Sequence, residues 1–400
     1  AVVTGSVVPG AAIPGAAPLA GYSVIDMTRF VSGSYAAMLL AMLGADVIKV
    51  ELAPGGDPYR QQGTAFVGGR SALFGALNRG KRSVVIDLKS SVGRADLDRL
   101  LSGADVFMEN GRPGSLCGHG LDADTLSRRF PDLVYASISG YGQVGPDATR
   151  GGFDLILQAE GGLMSVTGEP DSGPVKVGVP ALDIGSAVSC ALGVVAALLG
   201  RERRGGGAVV SSSLLEFALA TFTSVAPAYF VDGEVPGRLG SHSPTFAPYG
   251  AYRAQDGYLV LAGAGSELLW QRLCEAIGAP GLIDDVRFVT NADRVAHLPE
   301  LITELEERLG ARDCASWLET FGKVNVPAAQ VRSLDQVLAS EQVRALGIIQ
   351  CDPDDPAAVP AIGAPLQING PLAGTRRAPS LGEHTAEVLG AVAPLAGDAR

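Results

Sequence analysis

What this 400-residue chain has little of narrows the possibilities first. Its five cysteines, Cys117, Cys190, Cys274, Cys314 and Cys351, are odd in number, scattered and without a CxxC pair. They suggest neither a disulfide framework nor a zinc site. Basic side chains are sparse: 31 Lys and Arg stand against 42 Asp and Glu, for a formal net charge of −11. No sustained Lys/Arg run offsets that charge, which argues against nucleic acid or an anionic membrane surface as the main partner. Any polyanionic ligand needs a local basic pocket. The first twenty residues lack a basic segment ahead of a continuous apolar one, so no signal peptide is expected. The longest apolar helical run, near 187 to 200, is too short to cross a bilayer and reads as core. The expected location is the cytoplasm.

With 47% hydrophobic and 18% charged residues, the chain is globular and long enough for two cores. Residues 1–20 are Gly, Ala, Pro and Val without period and read as a loose arm. From Tyr22 onward, apolar strand patterns at 22–27, 45–51, 82–87, 105–109 and 133–138 alternate with helical patterns at 34–43, 91–102 and 121–130. That alternation predicts a doubly wound, mostly parallel α/β sheet, with ligands at the carboxyl ends of its strands. A Gly/Pro/Ser-rich stretch at 230–250 then leads into a smaller α+β pattern. The expected organisation is a large domain at 21–228, a small domain with linkers at 229–332, and a return to the large domain at 333–400.

Glycine-bearing loops follow the predicted strands, at 28–33, 51–57, 109–114 and 139–146, and let backbone approach a ligand. Gly140 to Gly145 spells GxGxxG, but Pro146, Asp147 and Gly151-Gly152 continue a loop where a dinucleotide fingerprint needs a helix. Asn78-Arg79-Gly80-Lys81-Arg82-Ser83 is a local basic cluster suited to phosphate; a solvated strand entry explains each of its side chains equally well. Asp183 lies between an apolar, strand-like run and a long apolar helix from Gly185 to Arg204 that ends in Arg201, Arg203, Arg204 and glycines. At the helix start its carboxylate is expected to face free amides and stay ionised, with Gly185 leaving room for a ligand. The plainer reading is an N-cap.

Asp154-Leu-Ile-Leu-Gln158-Ala-Glu160-Gly-Gly162, Ser165-Val-Thr167-Gly168 and Val177-Gly-Val-Pro180-Ala-Leu-Asp183 resemble the central signature of the family III, CaiB/BaiF-type CoA-transferases. Asn78 to Ser83, Asn110-Gly111-Arg112-Pro113-Gly114 and Ala378 to Leu389 are similar to further family segments. The resemblance implies a Rossmann-like large domain in an intertwined homodimer, no tightly bound cofactor, and a coenzyme A thioester and a carboxylic acid as substrates. It implies CoA held by Val31, Ser32, Asn78, Arg79, Lys81, Arg82, Asn110, Gly111, Arg112, Gly140, Tyr141 and Gly142. It makes Asp183 the nucleophile, passing through an aspartyl mixed anhydride and an aspartyl-CoA thioester, with amides near Gly185 as oxyanion donors. Racemases of the superfamily carry Gly-His-Asp where this chain has Gly152-Phe153-Asp154, so two-base epimerisation lacks a partner. A non-catalytic acyl-CoA-binding protein is the further alternative. His384, in the terminal motif, reads as structural. Gly118 stands where relatives carry an Arg, so one phosphate contact is expected to be missing or supplied elsewhere; Leu52 and Val31-Ser32 depart from formyl-CoA transferase and point away from oxalate and formate as substrates.

Overall fold

The structure is a computed structural model that describes residues 17–263, 266–352, 359–370, 372 and 376–392. Six parallel strands form the main sheet: β1 (Ser23–Asp26), β2 (Asp46–Leu52), β3 (Arg82–Ile86), β4 (Val106–Glu109), β5 (Val134–Ser139) and β6 (Ala208–Ser213). Their spatial order is β3-β2-β1-β4-β5-β6. The chain therefore reverses direction across the sheet between β1 and β4, and the loops leaving these two strands diverge to leave a crevice. Val24, Ile25, Val106, Phe107 and Val134 are buried. Such apolar runs are what a sheet covered on both faces requires.

The helices on this sheet are α1 (Ser32–Met42), α2 (Ser91–Ser102), α3 (Ala123–Arg129), α4 (Asp154–Glu160), α5 (Ala181–Arg204) and α6 (Leu214–Thr221). Strand and helix limits in the first 140 residues lie within two residues of those expected. Around Asp183 they do not: no strand precedes it, and residues 154–160 form α4 instead. Helix α5 starts at Ala181 and runs 24 residues, so by length and composition alone it could cross a bilayer. It packs on α1, β5, β6 and α6, burying Leu182, Ala187, Cys190, Val194 and Leu198. Val188, Leu192 and Leu199 stay exposed on its other side.

Two compact units divide the chain. One comprises residues 1–162, 177–227 and 341–400; the other comprises 163–176 and 228–340. The small unit thus recruits 163–176 from within the signature region and ends at 340 rather than 332. It holds an antiparallel sheet of β7 (Tyr249–Arg253), β8 (Tyr258–Ala262) and β9 (Ala328–Gln330) with β8 central. Helices α7 (Glu267–Ala276), α8 (Leu298–Leu309) and α9 (Cys314–Val324) close a core around Trp270, Leu305 and Phe321. This is the expected α+β domain. Of the expected loose arm, 1–16 lie outside the described residues. Residues 17–20 are turns, with Leu19 buried and its N–H bonded to the Leu43 carbonyl at 2.9 Å.

Candidate active site

The crevice between β1 and β4 is closed at its base by one side chain. The Asn110 side-chain oxygen accepts the Arg29 N–H at 2.8 Å, and its Nδ2 donates to the Arg29 carbonyl at 2.6 Å. Gly111 donates its N–H to the buried Glu109 carboxylate at 2.6 Å. Burial raises the pKa of Glu109. A small cavity of about 90 Å³ opens here among Thr28, Arg29, Glu51, Gly56, Asn110 and Gly111. Arg112, next along the loop, has an exposed side chain that lies against Gly151. The Gly140 backbone crosses that of Gly152 so tightly that a Cβ on Gly140 would come within 2.7 Å of the Gly152 Cα. Tyr141 donates its hydroxyl to Glu160 at 2.8 Å under the Arg150 guanidinium, and Gly142 donates its N–H to Ser139 at 3.1 Å.

The basic cluster at 78–82 does not reach this crevice. Lys81 is fully buried, with Nζ 2.8 Å from Asp26 and donating to the Ser34 carbonyl at 2.9 Å and to the Asn78 side-chain oxygen at 2.8 Å. Burial first, partly offset by Asp26, lowers its pKa to about 8. Lys49 lies 3.9 Å from the same Asp26 oxygen and 3.1 Å from Asp57. Asn78 is likewise buried, donating to the Phe74 carbonyl. Arg82 pairs with Asp46 and Glu387. Arg79 is buried, with its guanidinium 3.5 Å from the Gln350 carbonyl, and lines a separate cavity of about 440 Å³ with Arg60, Phe74 and Arg377. The expectation that Asn78, Lys81 and Arg82 bind phosphate is therefore corrected. Lys81 and Asn78 are held inside the domain by Asp26 and by each other, and Arg82 is held at its surface by Asp46 and Glu387. His384 matches its structural reading: its Nδ1 accepts the Ser83 N–H at 3.3 Å.

Asp183 sits in the first turn of α5, two residues beyond its start, and does not cap the helix. All four leading amides are already partnered. Ala181 donates to the Val179 carbonyl at 2.8 Å and Ile184 to that of Pro180 at 3.0 Å. Leu182 and Asp183 donate to one oxygen of Asp154 at 2.8 and 3.2 Å. What the Asp183 carboxylate receives is the Ser32 hydroxyl at the start of α1. Burial, then the charge of Asp154, raise its pKa to about 7, the Ser32 bond opposing them. The expected permanently ionised carboxylate is thus replaced by one that titrates near neutrality. Gly185 does not make room for a ligand either: a Cβ there would lie 1.9 Å from the Phe217 ring. Its role is helix packing, and the helix amides near it are not free oxyanion donors.

Three aromatic rings cluster here, of which Tyr59 faces this carboxyl group. Phe30, in the left-handed region at φ 61°, meets Tyr59 edge-on at 5.3 Å and Phe153 at 6.3 Å. Tyr59 lies close enough to Asp183 for that charge, after burial, to raise the phenol pKa. Val31 is the buried residue that precedes α1. Of the expected site residues, Val31, Asn110, Gly111, Arg112 and Gly140 to Gly142 lie in loops at the carboxyl ends of β1, β4 and β5, and Ser32, the first residue of α1, bonds to Asp183. Asp154, Tyr59 and Phe30 were missed as site residues. Asp154 and Gln158, four apart at a helix start, were the available signal.

Residues 19–385 match the family model described as CoA-transferase family III. The chain belongs to that family. It is 38% identical over 383 residues to the succinate–glutarate CoA-transferase of Agrobacterium fabrum, covering 93% of this chain and 95% of that one. The acetyl-CoA:oxalate CoA-transferase of Acetobacter aceti is 37% identical over 333 residues, 83% and 85% of the two chains. A solved CaiB/BaiF family protein from Brucella suis superposes with a TM-score of 0.85 at 35% identity, covering 95% of this chain and all of that one. Family III CoA-transferases move CoA between carboxylic acids, so this is an enzyme of CoA transfer.

Proposed function

We propose that this family III CoA-transferase carries CoA from a short acyl-CoA to a small dicarboxylic acid through covalent intermediates on Asp183. The observation that carries this reading is the Asp183 carboxyl group: half-buried, bonded to Ser32 at the start of the helix that follows β1, and faced by Tyr59 of the aromatic cluster. A carboxylate that ionises near neutral pH is a stronger nucleophile than an ordinary one. One of its oxygens attacks the thioester carbonyl, the C–S bond breaks, and CoA leaves as thiolate with a mixed anhydride left behind. The thiolate then attacks the aspartyl carbonyl, releasing the donor acid and giving an aspartyl-CoA thioester. The acceptor carboxylate attacks that thioester, expelling the thiolate. Attack of the thiolate on the acceptor's acyl carbon frees Asp183 and the new acyl-CoA. Phe30, Tyr59 and Phe153 keep water from the anhydride. Arg112, exposed in the loop after β4, supports a phosphate contact.

The dicarboxylate assignment draws on the succinate–glutarate relative, and the oxalate enzyme at 37% identity keeps oxalate among the acceptors to be tested. Phe153 in place of an imidazole favours transfer over epimerisation. The uncovered Val188, Leu192 and Leu199 stripe supports a homodimer. The test is incubation with succinyl-CoA or acetyl-CoA and a panel of mono- and dicarboxylic acids, with new CoA esters detected by mass. Asp183→Ala should lose at least a thousandfold in turnover while binding CoA as before. Retention of most activity by that variant refutes the nucleophile. Exchange of the α-proton of a 2-methylacyl-CoA in deuterated water, without transfer, would favour epimerisation instead.

A further inference from the structure

We propose that Asp154 is the positioning residue of this site: docked on the amino end of α5, its carboxylate takes the helix amides that would otherwise solvate the nucleophile, and so sets the orientation and charge of Asp183. The proposal rests on Asp183 being the nucleophile and concerns how it is held.

A helix start offers amides without intrahelical partners and the positive end of the dipole, which together stabilise a nearby anion. Helix α5 begins after Pro180, whose side chain caps nothing. The cap arrives from α4. One Asp154 oxygen accepts both Leu182 and Asp183 N–H, and the other accepts Nε2 of Gln158. Gln158 is itself fully buried and uses its own oxygen to accept the Val177 N–H at 2.8 Å. This strut ties the segment entering α5 to α4 and fixes the direction in which Asp183 leaves the helix. It also leaves two carboxyl groups at one helix end, of which only Asp154 has the amides. A helix start would ordinarily favour the ionised Asp183; here Asp154 holds the amides and opposes that charge.

Among the described residues, the other titratable groups packed against α5 bring no cation to Asp183. Tyr59 faces Asp183 from the turn after β2. Helix α1 brings Tyr35 and β6 brings no ionisable side chain. From β5 comes Tyr135, and from α6 comes Glu216, held by Ser213. Glu160, at the far end of α4, is bound by Arg150 and Tyr141.

The experiment compares Asp154→Asn, which keeps an accepting oxygen and loses the charge, with Asp154→Glu. Two readouts are followed: the pH profile of kcat/KM, and the infrared carboxyl stretch that disappears in Asp183→Asn. In D154N both the acid limb and the infrared titration of Asp183 should move down by at least one pH unit, a tenfold change in the proton equilibrium. D154E should return both toward the wild-type position. A titration unmoved in D154N overturns the proposal. Should D154N fail to fold, Gln158→Met removes the strut and keeps both carboxyl groups. It should lower kcat at least fivefold with the acyl-CoA KM unchanged; an effect on KM alone, or none, also overturns it. If instead Asp183→Asn turns over normally, the nucleophile assignment falls, while the infrared titration still decides whether Asp154 holds Asp183.

Discussion

Asp183→Asn should stabilise the folded chain, and the gain should appear only as the pH rises. In the unfolded chain the aspartate ionises at its ordinary value of 3.8, whereas in the folded chain burial and Asp154 hold it to about 7. The sign follows from proton counting. Between these values the folded state binds the proton that the unfolded state has released, so wild-type stability falls as pH rises from 4 to 7 and is level above that. Each unit of difference corresponds to about 1.4 kcal/mol, which sets a ceiling of roughly 4 kcal/mol on the penalty of keeping Asp183 ionised. Relaxation and partial exposure of the carboxylate bring the expected effect to about 2–3 kcal/mol. Asparagine has nearly the same shape and no charge to desolvate. At roughly 2 °C per kcal/mol for a unit of this size, the melting temperature of D183N should exceed that of wild type by about 4–6 °C at pH 8. At pH 4 the two should melt together. Differential scanning calorimetry of both proteins from pH 4 to 8.5, without ligand, reads this directly. A difference independent of pH, or a D183N less stable than wild type at pH 8, refutes the account of the buried carboxyl group.

Two further substitutions separate scaffold from site. Lys81→Met leaves Asp26 buried with one cation fewer, which should cost about 3–5 kcal/mol in urea unfolding; the folded fraction should keep its acyl-CoA KM, whereas a raised KM would restore the phosphate role. Gly185→Ala drives a methyl group into the Phe217 ring and should destabilise by about 1–3 kcal/mol. Phe217→Leu should recover much of that loss in thermal melts, and failure to recover any would place the clash elsewhere.

What could be read from the sequence divides along a physical line. Strand and helix positions in the first 140 residues were legible because a sheet covered on both faces demands apolar runs of fixed length, and helix starts such as Ser90 and Asp122 carry their own caps. Helix α5 carries none. Its cap is Asp154, 29 residues upstream of Asp183, and no local rule connects the two. Reading Asp183 as its own cap therefore assigned it the wrong partner and the wrong charge. The same limit governs the basic cluster. Asn78, Lys81 and Arg82 are chemically suited to phosphate, and only the arrival of Asp26 from β1 draws Lys81 inward, while Asp46 from β2 pairs with Arg82 at the surface. In both cases residue type was legible, and the charged partner that decided its role, like-charged for Asp183 and opposite for Lys81 and Arg82, came from a distant strand or helix. It follows that the charge state of Asp183 is set by its burial and, after that, by the contact between α4 and α5. A family member lacking the acid at position 154 should run the same transfer chemistry with its pH optimum displaced toward acid, because its nucleophile would then receive the helix amides itself.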